Sequence, residues 1–275
     1  TRSPRLHHPE PSRVSATPGL LGLSLRQGYP DFLDLPWGRP LVEWPGLTSR
    51  LVEVQRGVSR HEVVFLSYGS AIFAFKELPE HVAEREYDRL RDLETRGLPA
   101  VTPVGFARVR LADDPDPTGI LVTRYLDGSL PFRAMFRQPG MERYRDRLLE
   151  AMAGLLVRIH LGGFYWGDCS LSNTLFRRDA GELQAFLVDA ETSEVHESLS
   201  DGQREHDLVI MEENVSGELS DVAAETGLPP SFDVHETGEA IRARYQRLWD
   251  EIAREVTIAP GEGYRIHERI RALNE

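Results

Sequence analysis

The hydrophobic pattern of this chain changes period near Leu126. Before that position apolar residues fall in strand-length runs bounded by turn formers, and after it they recur at helical spacing. Leu51 to Val54, His61 to Leu66 and Ala71 to Glu77 read as three strands, separated by turns at Gly57-Val58-Ser59 and Tyr68-Gly69-Ser70. Pro79 opens a helix through about Glu94, where its missing N–H costs nothing, and Gly97 and Pro99 end it. Val101 to Arg110 and Ile120 to Leu126 read as strands around an exposed turn at 113–117, and Asp127-Gly128 stops the second. Met141 to His160 then carries an apolar stripe of period 3.6, stopped by Gly162-Gly163. A loop at 164–173, strands at 174–177 and 183–188, and helices near 203–214, 237–256 and 263–273 follow. The split predicts an α+β chain of two lobes with a cleft between them. Residues 51–126 form the sheet lobe with one helix, and 127–275 the mainly helical lobe. Residues 1–50 are expected as an N-terminal extension, poorly ordered to about 19. The Trp-Pro-Gly clusters of 35–46 exclude a helix and predict an extended arm packed on the body.

Composition removes several function classes. The net charge of −12 and the lack of an evident basic stripe argue against nucleic acid as a partner. A single cysteine, Cys169, excludes an intramolecular disulfide and fits a reducing cytoplasm. No apolar run reaches the roughly 18–20 residues that cross a bilayer. The first residue is Thr1, not methionine, so a processed or truncated chain is expected. No histidines stand at zinc-ligand spacing.

Lysine and arginine total 32, yet Lys76 is the one lysine. A lysine that persists alone suggests a site that needs a compact ammonium and rejects a planar guanidinium. Phe73, Ala74 and Phe75 place it on a buried strand rather than a tolerant surface. Ten residues on, Glu86 lies among Ala83, Tyr87, Leu90 and Leu93 on the apolar face of the 79–94 helix. A carboxylate there is costly unless paired. Lys76 is the partner that satisfies both groups; Arg89 or solvent is the other option.

Asp168 and Asn173 stand five apart on a loop that follows a buried helix and precedes a strand, and Phe186-Leu187-Val188-Asp189 is an apolar strand ending in an acid. Asn173 and Asp189, on either side of a short hairpin, are of the kind that could supply the oxygen ligands magnesium takes beside substrate phosphates; the other reading of Asp189 is a turn former at a strand end. Asp168 then remains to accept a hydroxyl proton. Cys169 reads as a packing residue rather than a redox thiol.

The order of these parts is the order of the protein-kinase superfamily: strand lysine, helix glutamate, lobe-linking strand, long helix, Asp-x4-Asn loop, hairpin, Asp. Trp166-Gly167-Asp168 to Asn173 resembles the catalytic loop of aminoglycoside-phosphotransferase-like and lipopolysaccharide-kinase-like enzymes. Asp189-Ala190-Glu191 resembles their metal-binding motif. The resemblance covers about residues 30–275 and implies a two-lobed protein-kinase-like fold with ATP and Mg2+ as cofactors. It implies that Lys76 holds the α- and β-phosphates and that Glu86 positions it. It implies that Arg124 to Leu126 form the hinge facing adenine, with Thr123 behind. Asp168 would be the catalytic base, Asn173 and Asp189 the metal ligands, Glu191 a water-mediated one, and Asp207 a brace for the loop. Trp166 stands where histidine is common and Ser170 where a basic residue is usual. The glycine-rich phosphate loop is reduced to Gln55–His61, where Ser59 and the guanidiniums of Arg56 or Arg60 would contact phosphates directly or form an exposed turn. The expected function is ATP-dependent phosphoryl transfer to an unidentified hydroxyl acceptor, with a carbohydrate or glycolipid suggested by resemblance. A nucleotide-binding pseudokinase or scaffold, and an enzyme transferring AMP, are the competing expectations.

Overall fold

A computed structural model describes residues 19–55, 59–112, 116–136, 144–179, 181–229 and 231–253. The strand Ala71–Pro79 (β3) sets the geometry of the first lobe. Successive side chains of a strand point to opposite faces. Phe73 and Phe75 therefore enter one core, while Ala74 and Lys76 face the cleft. Val63–Tyr68 (β2) pairs antiparallel with β3, and Thr118–Arg124 (β5) pairs with its other edge, placing Leu121 opposite Lys76. Thr102–Arg110 (β4) and Gly19–Leu25 (β1) complete a five-stranded antiparallel sheet in the order β1-β4-β5-β3-β2.

The expectations for residues 19–55 need three amendments. Residues 19–25 are a sheet strand within the segment read as an extension. Leu51 to Val54 is not a strand: it makes one antiparallel bridge, Leu51 to Leu66, because the chain runs alongside β2 only briefly. The arm is not free of helix, since Leu41–Gly46 forms a 3-10 turn around Pro45. A turn this short tolerates proline where a longer helix would lose a hydrogen bond. The arm does pack on the body. Phe32, Leu35, Trp37, Leu41 and Trp44 cover the outer face of the sheet, against Phe73, Phe75 and Val122. Each indole N–H is satisfied locally, Trp37 by the Phe32 carbonyl and Trp44 by that of Arg39, both at 2.9 Å. Glu77 accepts the Leu41 N–H at 2.8 Å and pins the arm to β3.

Helix Glu80–Thr95 (α1) lies on the opposite face of the sheet, with Pro79 just before its first turn. It approaches β5 at Gly119, where an added Cβ would stand 2.5 Å from the Ala83 Cβ. Glycine is what lets the helix come this close. After α1 the chain meets the other lobe: Val101 N–H donates to the Leu187 carbonyl at 2.9 Å, and Leu187 N–H to that of Pro99 at 3.0 Å.

The second lobe is built on helix Arg145–Leu161 (α3), whose apolar stripe is buried. Before it come Ser129–Pro131 (β6) and Phe132–Phe136 (α2). After it, Phe164–Tyr165 (β7) pairs with Glu194–Val195 (β10). Thr174–Asp179 (β8) and Glu182–Leu187 (β9) form a hairpin, with β6 on the free edge of β8. Helix Asp201–Thr226 (α4) begins with a capping box between Ser200 and Gln203, and it runs well beyond the expected 203–214. Helix Glu236–Ala253 (α5) packs on α3 through Ile241 and Tyr245. The helix expected at 263–273, the start of the 141–160 helix and the tail before residue 19 fall outside the described residues. No described helix is long and apolar enough to cross a membrane. The architecture is two-lobed α+β, with an antiparallel sheet and one helix in the N-lobe and a helical C-lobe, as in protein-kinase-like folds.

Trp44 is fully buried against Trp37 and Phe75. Trp44→Ala is expected to destabilise the protein by about 3–5 kcal/mol, read from the urea unfolding midpoint.

Candidate active site

Lys76 leaves β3 toward the cleft and meets three carboxylates. Its Nζ lies 3.0 Å from Glu86 Oε2, 2.6 Å from Asp189 Oδ2 and 3.9 Å from Glu191 Oε2. Of the two partners open to Glu86, the lysine takes it, and Arg89 turns to Asp92. Glu86 is fully buried and also accepts the Ala190 N–H at 3.4 Å. Burial, and then the Asp189 carboxylate, push the Glu86 carboxyl up to about 8, against the pull of the ammonium. Burial disfavours the lysine's charge, but the two carboxylates outweigh it and hold Lys76 above its ordinary value.

The loop 166–173 is short of backbone partners within its own lobe's strands, and α4 supplies side-chain acceptors instead. Asp207 accepts the Trp166 N–H at 2.7 Å and the Gly167 N–H at 2.8 Å. Its Oδ2 also lies 3.1 Å from His160 Nε2, whose other nitrogen meets Tyr245 Oη at 2.9 Å. Glu218 accepts the N–H groups of Leu171 and Ser172 at 2.8 and 2.9 Å. Burial raises the Glu218 carboxyl, and these donors partly offset it. Gly167 has φ +77°, and an added Cβ would press on the Thr192 carbonyl at 3.0 Å. Trp166 Nε1 donates to the Asp189 carbonyl at 3.0 Å, which ties the loop to the end of the β8–β9 hairpin.

Asp168 lies at the cleft with both oxygens engaged. Oδ2 accepts from Asn173 Nδ2 at 3.0 Å, and Oδ1 from Asn214 Nδ2 at 3.0 Å. Arg60, from the turn before β2, reaches across the cleft to within 3.3 Å of Oδ2 and 3.8 Å of Glu191. His61 Nε2 lies 3.3 Å from Glu191. Ser59 spends its hydroxyl on the His61 N–H at 3.2 Å. Arg56, Gly57 and Val58 lie outside the described residues.

The lobe-linking segment is partly committed to the sheet. Tyr125 N–H donates to the Ile72 carbonyl at 2.9 Å. The Arg124 guanidinium turns back over Phe73 and binds the Ile72 carbonyl and Asp127. The Leu126 carbonyl accepts from Ser129. These groups border a cleft of about 450 Å3, within the usual range for small-molecule sites. Ser59, Arg60, Lys76, Glu86, Thr123, Arg124, Leu126, Asp168, Asn173 and Asp189 all line it. Glu191 stands behind Lys76, and Asp207 lies beneath the loop.

Glu86, Asp189 and Glu191 each offer a carboxylate oxygen, and these atoms lie within 4.8 Å of one another. An all-oxygen set suits a hard divalent cation such as Mg2+. Lys76 stands among the same three groups, so one ammonium faces three carboxyls. Cys169 is buried, and its thiol is held well above the ordinary range by burial and then by Asp207; it is a packing residue here. Asn214 and Glu218 escaped the sequence reading. With Asp207 they stand at helical spacing on one face of α4, and polar residues interrupting an otherwise apolar stripe were the available signal.

Removing the Asp207 carboxylate strands the buried Trp166 N–H and takes a partner from the part-buried Gly167 N–H and from His160, which keeps Tyr245. Asp207→Ala is expected to cost at least about 3 kcal/mol in denaturant unfolding, at about 1–3 kcal/mol for each of the three groups.

The sequence and the fold were compared with known proteins. The family model described as "Lipopolysaccharide kinase (Kdo/WaaP) family" matches residues 70–226. No curated protein matches. Among solved structures, "WaaP in complex with acyl carrier protein" is similar at 18% identity and a TM-score of 0.50, covering 93% of this chain and 100% of that one. An aminoglycoside-3'-phosphotransferase of type VIII is similar at 18% identity and a TM-score of 0.49, covering 76% and 88%. At such identity the first likeness speaks to the fold alone. The family match spans more than half of the sequence and includes Lys76, the 166–173 loop and Asp189, so the chain belongs to the lipopolysaccharide kinase (Kdo/WaaP) family.

Proposed function

We propose that this protein transfers the γ-phosphoryl group of magnesium-bound ATP to a hydroxyl acceptor. The observation that carries the reading is the convergence at one cleft of Lys76, paired to Glu86 and Asp189, with Asp168 and Asn173 from the opposite lobe. Family membership and the acidic cluster support phosphotransferase chemistry in general.

In this reading Lys76 grips the α- and β-phosphate oxygens, and Glu86 holds the ammonium in place. The apolar end of the cleft near Thr123, Arg124 and Leu126 takes the adenine. Ser59 and Arg60 close over the phosphates. Asn173 and Asp189 would hold the metal, with Glu191 close by, and it would neutralise charge on the phosphates. Asp168 orients the acceptor hydroxyl and takes its proton as the oxygen bonds to the γ-phosphorus. The bond from that phosphorus to the β–γ bridging oxygen breaks, and ADP leaves. Positioning and charge neutralisation supply most of such catalysis, so a thin phosphate loop is compatible with activity. Family membership suggests a carbohydrate or glycolipid acceptor, and an ATP-dependent reaction with a single buried thiol suits the cytoplasm. A second reading, a nucleotide-binding pseudokinase, draws on the Arg60 guanidinium standing against Asp168.

Four outcomes test this. ATP with magnesium is expected to raise the thermal unfolding temperature more than ATP alone, in proportion to the roughly 2.7 kcal/mol that a ligand at 100 times Kd contributes. Asp168→Asn is expected to lower turnover by about 10²–10⁴-fold while keeping the magnesium-dependent thermal shift. Lys76→Arg is expected to lose most turnover because the wider head displaces the phosphates; a fully active variant would remove the special role given to the lone lysine. Transfer of label from γ- but not α-labelled ATP separates phosphoryl from AMP transfer.

A further inference from the structure

We propose that Asn214, on α4, is a positioning residue for Asp168: its amide fixes the direction in which the carboxylate faces an acceptor. The inference rests on the phosphotransferase reading above and adds a residue to it.

The geometry is specific to the side chain. Asn214 Nδ2 donates to Asp168 Oδ1 at 3.0 Å and to the Cys169 carbonyl at 3.1 Å. One amide nitrogen thus holds both the carboxylate and the backbone of the next residue. On the other side, Asn173 Nδ2 donates to Asp168 Oδ2 at 3.0 Å and to the Asp168 carbonyl at 3.1 Å. The carboxylate plane is therefore clamped by two amide donors of opposite origin, one from the loop itself and one from a helix of the lobe's core. Arg60 also reaches Oδ2, but from a mostly exposed side chain with a longer contact. It is the weaker constraint.

A clamp of this kind matters because a base must lie within hydrogen-bond reach of the proton it removes. An aspartate on a loop has two free side-chain torsions, and a single donor leaves rotation about the Cβ–Cγ bond partly open. Two donors, one to each oxygen, close that freedom. An ionised carboxylate offers about four acceptor sites, so Oδ1 keeps a lone pair for the acceptor hydroxyl, while Oδ2 already accepts from Asn173 and Arg60. Asn214 lines the cleft together with Asp168, Ser170 and Ser172. No basic residue follows Asp168 in the loop, and the orienting contacts come instead from these neutral amides.

The test uses the full chain with magnesium and ATP, water as acceptor, and released phosphate as readout. Four variants are compared: wild type, Asn214→His, Asn214→Leu and Asn214→Asp. Histidine can present a ring N–H near the amide's place, leucine matches the shape without a donor, and aspartate keeps size and polarity but faces Asp168 with a second negative charge. The expected order of kcat is wild type, His, Leu, Asp, with at least about a tenfold fall for Leu and a larger one for Asp. KM for ATP should stay within about twofold, since the amide acts on the base and not on the nucleotide. A merely structural asparagine would rank differently, with aspartate nearest to wild type. That ranking, or a loss seen in KM alone, would overturn the proposal. If the wild-type protein releases no phosphate from magnesium ATP, water is not an acceptor, and the phosphotransferase reading stands or falls with the magnesium-dependent ATP thermal shift. Crystal structures of Asn214→Leu and Asn214→Asp then decide the positioning role: an Asp168 carboxylate turned from its place upholds it, and an unmoved one refutes it.

Discussion

A largely buried ammonium 3.0 Å from one carboxylate and 2.6 Å from another joins β3 and the adjacent α1 to the end of the β8–β9 hairpin, 113 residues along the chain. Neither Glu86 nor Asp189 would tolerate its surroundings without that cation, and the lysine would not tolerate its own without them. The relative placement of the lobes depends on the same contact, because Glu86 belongs to one and Asp189 to the other. The backbone bonds between Val101, Leu187 and Pro99 reinforce it a few residues away. Fold and site are held here by one set of charges.

The helical lobe solves a different problem. A loop that presents Asp168 to solvent leaves its own N–H groups without sheet partners, and unpaired buried donors are expensive. Helix α4 answers with carboxylates from below. Asp207 takes the donors at the start of the loop, and Glu218 those near its end. The helix must run from Asp207 to at least Glu218 to reach both ends, so it cannot stop at 214. Trp166 links this scaffold to the Asp189 carbonyl, so Asp168 and the acidic cluster share one frame.

What the sequence made legible follows from which residues carry contradictory signals. Lys76 was readable because it is the sole lysine and directly follows Phe73, Ala74 and Phe75, and Glu86 because a carboxylate on an apolar face demands a partner. Asp168, Asn173 and Asp189 were readable only through their order. Asn214 and Glu218 were not, because polar residues on the stripe of α4 look like an exposed face until the loop above them is known. The same polarity made the helix seem to stop at 214. Strand β1 was missed because Gly19–Leu25 contains two glycines and no β-branched residue, and its register comes from β4 rather than from its own propensity. The 3-10 turn at Leu41–Gly46 escaped because a rule about long helices was applied to six residues.

The close approach of α1 to β5 at Gly119 has a mechanical consequence. Where most helices rest on a sheet through a cushion of side chains, Ala83 and Glu80 here meet bare main chain. Nothing compressible separates the two, so the helix behaves as a fixed post rather than a lever. Swinging it outward would strip Glu86 from Lys76 and leave a carboxyl in an apolar seam. Any widening of the cleft would therefore keep the Lys76–Glu86 pair within the sheet lobe and break the Lys76–Asp189 contact that crosses to the other lobe.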